Sequence, residues 1–426
     1  MTIEITPSTV KGQVQAPASK SVAQRTIAIA SLASGTSEIF HVGSSDDVQS
    51  AIRVCKALGA EIEQKGEKLI VNGDIQTPAA PLNCGESGLG IRMFSAIAAL
   101  LNEPVTLTGE GSLKERPMDM IEASLKAAGV QCDTQKGILP VVVKGPLKGG
   151  IVNIDGSASS QVLTGLLIAA PYALSPVTIR VSDLKSRPYV DITTRMMQDF
   201  GVVVENKDYE EFIIPAPQKY MAKSFAVEGD WSGAAFLLVA GAIAGEVTVT
   251  NLDFQSLQAD KEILAALKNS GAELIVDKES VFVRKAPLKA FRFDATHCPD
   301  LFPPLVALAA ACDGISQIRG VSRLRSKESD RATALQQEFG KLGLYVSLEG
   351  DNMLIKGNSL NGGRIFSHND HRIAMACAIA GLTASEPVII DKADAVNKSY
   401  PGFFKDLSVL SNLNLEIRST NSEKSE

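Results

Sequence analysis

The chain has 426 residues, 45% of them hydrophobic and 21% charged, with a formal net charge of −6 and a mean hydropathy of +0.09. That balance supplies apolar cores for a large α/β protein and lacks the basic excess expected of a nucleic-acid binder. The longest apolar runs, such as 236–244, fall far short of the roughly 18 residues of a spanning helix, and six cysteines and four histidines form no C-x-x-C or zinc-like cluster, so neither membrane nor metal is expected.

A polar cluster opens an apolar helix at Lys20, a β-rich run follows at 35–39, and an amphipathic helix then ends at Gly59. The same succession recurs from Gly88 (run 103–107, end Gly129), Ser159 (175–179, Gly201), Trp231 (245–249, Gly271), Asp300 (314–318, Gly343) and Asp370 (386–390, Asn412). The openings lie 68, 71, 72, 69 and 70 residues apart, a period that marks repeated supersecondary units. Glycine and asparagine tolerate the left-handed helix cap, and Pro117, Pro188 and Pro401 are placed in the first turns of second helices, where a missing N–H costs nothing. Each unit reads helix, strand, helix, strands.

The helix openings carry unusual chemistry. Lys20, Arg25, Arg92, Lys114, Arg116, Arg323, Arg325, Lys327, Arg331, Arg372 and Lys398 gather there in an otherwise acidic chain. Guanidinium forks, ammonium groups and helix-start N–H donors together suit a small, multiply charged anion such as a phosphate or carboxylate. No P-loop follows, and the glycines of 84–90 lack the strand and acidic residue of a dinucleotide fingerprint. With no nucleophile elbow either, acid–base chemistry from Asp, Glu, Lys and His is the expected engine.

Ala18-Ser19-Lys20-Ser21 with Arg25, the serine-rich stretch 155–161 ending in Ser159-Ser160-Gln161, Lys327-Glu328-Ser329-Asp330-Arg331, Asn369-Asp370-His371-Arg372 and Lys398-Ser399-Tyr400-Pro401 stand in order. From about Lys11 to Phe404 they resemble the motifs of the 5-enolpyruvylshikimate-3-phosphate (EPSP) synthase family, the 3-phosphoshikimate 1-carboxyvinyltransferases. The resemblance implies an α/β fold of two globular domains with three units each, 19–227 and 1–18 with 228–418, and an active site in the interdomain cleft, while the polar composition of 419–426 predicts a disordered tail. It implies transfer of the enolpyruvyl group of phosphoenolpyruvate to the 5-hydroxyl of shikimate 3-phosphate, through a tetrahedral intermediate and with release of phosphate. No cofactor is implied. The protein is expected to be a cytoplasmic monomer whose partners are those two anions, not nucleic acid or membrane.

Position by position, Lys20, Ser21, Arg25, Ser159, Ser160, Ser186 and Lys327 are similar to the residues that hold shikimate 3-phosphate. Lys20, Gly88, Arg116, Gln161, Arg331, Arg372 and Lys398 are similar to those around phosphoenolpyruvate, with Arg92 and Tyr189 in matching segments. Asp300 is the implied proton acceptor near the hydroxyl, Glu328 the proton donor to the methylene, and Lys20 a further catalytic group. Plainer roles compete: Ser159 and Ser160 as helix caps, Asp300 as an N-cap, and Glu328 with Arg331 as a surface i,i+3 pair.

Two departures stand out. Glu86-Ser87-Gly88-Leu89 replaces the family's usual Asn-Ala-Gly-Thr, and Arg323 stands where an asparagine usually contacts shikimate 3-phosphate. Arg323 is expected either to reach the 3-phosphate or to offset Glu86, and Leu89 to narrow the phosphoenolpyruvate pocket. Two rival readings are a UDP-N-acetylglucosamine enolpyruvyl transferase and an inactive phosphometabolite binder on the same scaffold. The first normally carries a cysteine in the loop matching 110–117, where none stands here, and the second has no need of Asp300 and Glu328.

Overall fold

The computed structural model describes residues 1–157, 159–325 and 327–411, and the backbone of 417–418. The cap expected at Asn412 and the tail expected at 419–426 lie outside the described residues. Contacts divide the chain into two units, Ala18–Val227 and Met1–Pro17 with everything from Glu228 onward.

The unit Ala18–Val227 holds helices α1 (Lys20–Leu32), α2 (Asp46–Ala57), α3 (Gly88–Ala98), α4 (Asp119–Ala127), α5 (Gln161–Ala169) and α6 (Arg187–Asp199). The other unit holds α7 (Trp231–Ala244), α8 (Ile263–Ser270), α9 (Phe302–Ala310), α10 (Arg331–Lys341), α11 (His371–Gly381) and α12 (Phe403–Ser411). Odd-numbered helices open the repeats and even-numbered ones are the second helices. Composition decides their burial: α7, in Ala, Leu, Ile, Val and Gly apart from Trp231, Ser232 and Phe236, has all 14 residues buried, as α3, α9 and α11 are throughout. A helix apolar on every face belongs inside a core. The second helices are amphipathic and keep one face in solvent. Gly241 marks how closely α7 packs, since a Cβ there would stand 2.7 Å from Val283 Cγ1.

Each repeat closes with a four-stranded sheet among the described residues. In one, Gly150–Asp155 runs parallel to Val177–Ser182 with Gly150 opposite Val177, the crossover being α5, and Val177–Ser182 pairs antiparallel with Glu211–Ile214. Val177, Ile179 and Val181 point inward at every second residue, the period of a half-buried strand. Both units close on themselves. The parallel partner of Thr36–Phe40 is Ser224–Ala226, from the far end of the same unit. In the other unit Val10–Gln15 runs parallel to Gly245–Thr250, and Thr2–Ile5 pairs antiparallel with Val388–Asp391.

Helix ends follow the sequence with small shifts. Gly271 caps α8 at φ +87°, and Gly59, Gly129, Gly201 and Gly343 also have positive φ. Only Pro188 lies in a first turn. Pro117 and Pro401 fall two residues ahead of α4 and α12, because Met118 N donates to Gly137 and Phe403 N to Tyr400 before the helical ladder begins. At Ser159 and Asp300 the α-helices start at Gln161 and Phe302, the latter after a 3-10 turn Pro299–Leu301.

Candidate active site

In the unit Ala18–Val227 the candidates stand at helix starts, where backbone N–H groups have no partner in the helix. Lys20, the first residue of α1, places Nζ 2.9 Å from Oδ2 of Asp47 in the first turn of α2, with both side chains largely buried. The hydroxyls of Ser19 and Ser45, just ahead of α1 and α2, are buried without a protein partner among the described residues. Arg25 is 1% exposed and held by neutral groups. Its Nε donates to Thr193 Oγ1 (2.9 Å), Nη1 to the Ser21 carbonyl (2.8 Å), and Nη2 to Thr164 Oγ1 (3.3 Å) and the Tyr189 carbonyl (3.4 Å). Burial pulls its pKa down to about 10, against the influence of Tyr189, so it is charged at neutral pH. No carboxylate faces it among the described residues, and of its five N–H groups one, on Nη1, is left to offer.

Gly88 opens α3 directly against Arg116. A Cβ at Gly88 would stand 2.3 Å from Arg116 Nη1 and 2.9 Å from Cζ, so only glycine leaves room for that guanidinium. Arg92, buried in the same helix, donates from Nη1 to the Gly88 carbonyl (2.9 Å) and Gln161 Oε1 (3.3 Å), joining the starts of α3 and α5. Ser87 Oγ accepts from Gly90 N (3.0 Å) and Gln24 Nε2 (2.9 Å). The Glu86 carboxylate accepts from Ser112 N and Oγ, both at 3.2 Å, and so ties down the 3-10 turn Gly111–Glu115 that leads to Arg116. Leu89 is buried with the apolar core of the unit.

Ser159 Oγ accepts from Gln161 N at 3.1 Å, a helix-start contact, while Ser160 is buried just ahead of α5 without a side-chain cap bond. Ser186, also buried, precedes α6 at φ +55° and ψ +43°. A left-handed non-glycine residue costs about 1–3 kcal/mol and persists where function or packing demands it.

The other unit assembles a different arrangement. Arg331, first residue of α10 and fully buried, binds three carboxylates: Nη1 to Asp300 (2.8 Å), Nη2 to Glu328 (2.6 Å) and Nε to Asp370 (2.9 Å). Asp300 also receives Lys327 Nζ (3.3 Å) and Arg372 Nη2 (3.1 Å). Burial pushes the Asp300 pKa up, but Arg372, Lys327 and Arg331 overcome it and hold the carboxyl well below its usual value. Asp300 is therefore an ion-network member, not a helix cap, and Glu328–Arg331 is no surface pair. Burial lowers the Lys327 pKa against the pull of Asp300, and the nearby charges of Arg331 and Arg323 lower it further. Arg323 lies on the 3-10 turn Val321–Leu324, four residues before Lys327. Lys398 Nζ donates to the Asn369 carbonyl at 2.8 Å.

Two members escaped sequence reading. Asp47 is announced only by the acidic pair opening α2. Asp370 caps α11 through Arg372 N (2.9 Å) while binding Arg331 and Ser329 Oγ (3.1 Å), and an Asp at a helix start reads first as a cap. A cavity of about 370 Å³ in this unit touches none of the candidates; it lies by Ala242, Cys312 and Thr383, at the C-terminal ends of α7, α9 and α11. No helix among the described residues is long and apolar enough to cross a membrane.

The family profile of EPSP synthase (3-phosphoshikimate 1-carboxyvinyltransferase) matches residues 5–407. The 3-phosphoshikimate 1-carboxyvinyltransferase of Clostridium kluyveri is 39% identical over 412 residues, 96% of this chain and 97% of its own. That of Methanosarcina acetivorans is 39% identical over 436 residues, 99% and 100% of the two chains. Among solved structures, EPSP synthase from Acinetobacter baumannii superposes with a TM-score of 0.84 at 28% identity, covering 98% of this chain and 100% of that one. The enolpyruvyl transferase NikO from Streptomyces tendae shares the fold at TM-score 0.77 and 17% identity, covering 97% and 98%. With a profile match along nearly the whole chain and relatives this similar over full length, the chain belongs to the EPSP synthase family.

Proposed function

We infer that the protein transfers the enolpyruvyl group of phosphoenolpyruvate to the 5-hydroxyl of shikimate 3-phosphate. The observation that carries this reading is the network around Arg331, where Asp300 and Glu328 are paired with three cations, Lys327, Arg331 and Arg372. An anion binder needs the cations; only proton transfer needs the two carboxylates.

In the reaction the 5-hydroxyl oxygen bonds to C2 of phosphoenolpyruvate as its proton leaves and a proton adds to the C3 methylene. The tetrahedral intermediate then loses a C3 proton, and the C2–O bond to phosphate breaks. Asp300 takes the hydroxyl proton and Glu328 supplies the methylene proton. Held ionised by three cations, Asp300 is a weak base in the free protein. Substrate anions that engage Arg372, Arg331 and Lys327 draw these charges from it and raise its basicity as the site fills.

Lys20, Ser21, Arg25, Ser159, Ser160, Ser186 and Lys327 bind shikimate 3-phosphate. Gly88, Arg116, Gln161, Arg331, Arg372 and Lys398 bind phosphoenolpyruvate, with Lys20 serving both. Arg323, whose charge bears on Lys327, is assigned to the 3-phosphate: Arg323→Ala is expected to weaken shikimate 3-phosphate binding and Arg325→Ala to leave it unchanged. The protein is proposed to act in the cytoplasm as a monomer. The deciding experiment is phosphate release from phosphoenolpyruvate, with and without shikimate 3-phosphate, in the absence of added metal. Release that depends on shikimate 3-phosphate and yields the enolpyruvyl ether supports the assignment; tight binding of both ligands without turnover leaves an inactive binder.

A further inference from the structure

The segment that carries Asn369 and Asp370 is itself held in place from outside the cluster. His368 and Asn369 both adopt left-handed backbone, at φ +54° and +52°, a conformation that side-chain-bearing residues rarely take twice in succession. The turn delivers two groups, the Asn369 carbonyl to Lys398 Nζ and the Asp370 carboxylate to the Arg331 network. Its other side is gripped by Glu338 of α10. That carboxylate, with its side chain 2% exposed, accepts from His368 Nε2 at 2.7 Å, from Phe366 N at 2.9 Å and from Lys341 Nζ at 2.7 Å. The His368 ring also packs edge-on against Phe366, with centroids 5.2 Å apart. Arg331 opens the same helix, two turns before Glu338. One rigid helix therefore holds both ends of the arrangement, the guanidinium through Arg331 and the turn through Glu338.

We propose that Glu338 and His368 are positioning residues that fix the left-handed 368–369 turn and thereby set Lys398 and Asp370 for phosphoenolpyruvate. Neither touches substrate. The proposal rests on the assignment of Lys398 and Arg331 to phosphoenolpyruvate given above. A buried carboxylate with three donors is a rigid anchor, because each lost donor leaves an uncompensated buried acceptor. A looser turn spreads the positions of the Asn369 carbonyl and Lys398, and binding that depends on fixed geometry suffers first.

The test uses the full-length protein and three variants. His368→Asn keeps a residue type that tolerates left-handed backbone but is too short to reach Glu338. His368→Gln restores an N–H donor of similar reach, and Glu338→Gln keeps the size of the anchor while removing its charge. His368→Asn is expected to raise the KM for phosphoenolpyruvate about tenfold or more, the scale of one lost hydrogen bond to a charged group, with the KM for shikimate 3-phosphate within about twofold of wild type. His368→Gln should return most of that loss, and Glu338→Gln should blunt the effect of His368→Asn in the double variant, since coupled residues are not additive. A phosphoenolpyruvate KM within twofold of wild type in a folded His368→Asn protein overturns the proposal. So does an equal rise in both KM values, or no rescue by His368→Gln. Wild-type protein lacking shikimate 3-phosphate-dependent phosphate release overturns the underlying assignment instead, so the two failures are separable.

Discussion

The two units solve the burial of positive charge in opposite ways. In Ala18–Val227, Arg25 is held by hydroxyls and carbonyls, while Lys20 pairs with Asp47. In the other unit Arg331 and Arg372 are satisfied by carboxylates. A cation held by neutral dipoles keeps its charge uncompensated and can accept an anion without first giving up a partner. A cation held by carboxylates is neutralised in advance, and its partners are the groups that can move protons. The first arrangement suits binding and the second suits chemistry, at the cost of mutual dependence among buried ions.

The strongest way to break this contrast is to remove the central cation of the carboxylate network. Arg331→Met leaves Asp300, Glu328 and Asp370 without their shared partner, and removing one member of a buried ion pair typically costs about 3–5 kcal/mol. The expected outcome is a large drop in the urea midpoint together with loss of turnover. A midpoint close to wild type shows that the carboxylates find other partners, and the contrast between the units then fails.

The same difference appears under acid. The Asp300 carboxyl is held well below its ordinary value by Arg372, Lys327 and Arg331, against its burial. Glu338 is lowered too, with Lys341, the Phe366 N–H and His368 outweighing its burial. A group whose folded pKa is depressed contributes stability above its unfolded value, about 4, and that contribution is lost as pH falls through the folded pKa. The unit from Glu228 onward is therefore expected to lose stability as pH falls below about 4. In Ala18–Val227 the lowered carboxyls, such as Asp155 and Glu122, lie nearer solvent and matter less. Hydrogen exchange corrected for its intrinsic pH dependence, compared at pH 6 and pH 3, reads the units separately; equal loss of protection contradicts the expectation.

Much of this was legible beforehand, for identifiable reasons. The repeat is visible because burial makes α3, α7, α9 and α11 predominantly apolar around the helix while the second helices alternate, and because the turns after five second helices require glycine at positive φ. Cations at helix starts are legible because charge is costly in an apolar run. Which carboxylate pairs with which cation is not. Asp47 and Asp370 come from other helices than the cations they hold, and Glu338, besides pairing with Lys341 on its own helix, reaches His368 beyond that helix, so these partners are set by packing rather than spacing. The early helix starts at Pro117 and Pro401 failed for a local reason, since the N–H groups that follow find turn acceptors first.

Removing a cation from the neutral cage should cost less stability and more affinity. Arg25→Met leaves Thr193 and Thr164 hydroxyls that retain each other, 3.3 Å apart, and Thr193 still donates to the Tyr189 carbonyl at 2.9 Å. A stability loss of about 1–3 kcal/mol is expected. The affinity for shikimate 3-phosphate should fall about tenfold or more, because a charged hydrogen bond is worth about 1.5–3 kcal/mol. Calorimetric titration with shikimate 3-phosphate measures it, and unchanged affinity removes Arg25 from the binding set.

The smallest expected effect on stability sharpens the comparison most finely, because it displaces a cation without deleting it. In Gly88→Ala the new Cβ, 2.3 Å from Arg116 Nη1, forces the guanidinium off the start of α3. Alanine is also the better helix former, by up to about 1 kcal/mol, which offsets part of the clash, so the unfolding free energy should change by about 1 kcal/mol or less. The displaced group is the far end of a flexible side chain rather than backbone, which is why the fold tolerates the change. The phosphoenolpyruvate KM should nevertheless rise several-fold while the shikimate 3-phosphate KM holds, since a catalytic cation moved by about 1 Å loses much of its effect. If both constants stay at wild-type values, Arg116 does not act from its place against Gly88, and the neutral-cage unit contributes less to phosphoenolpyruvate binding than its geometry implies.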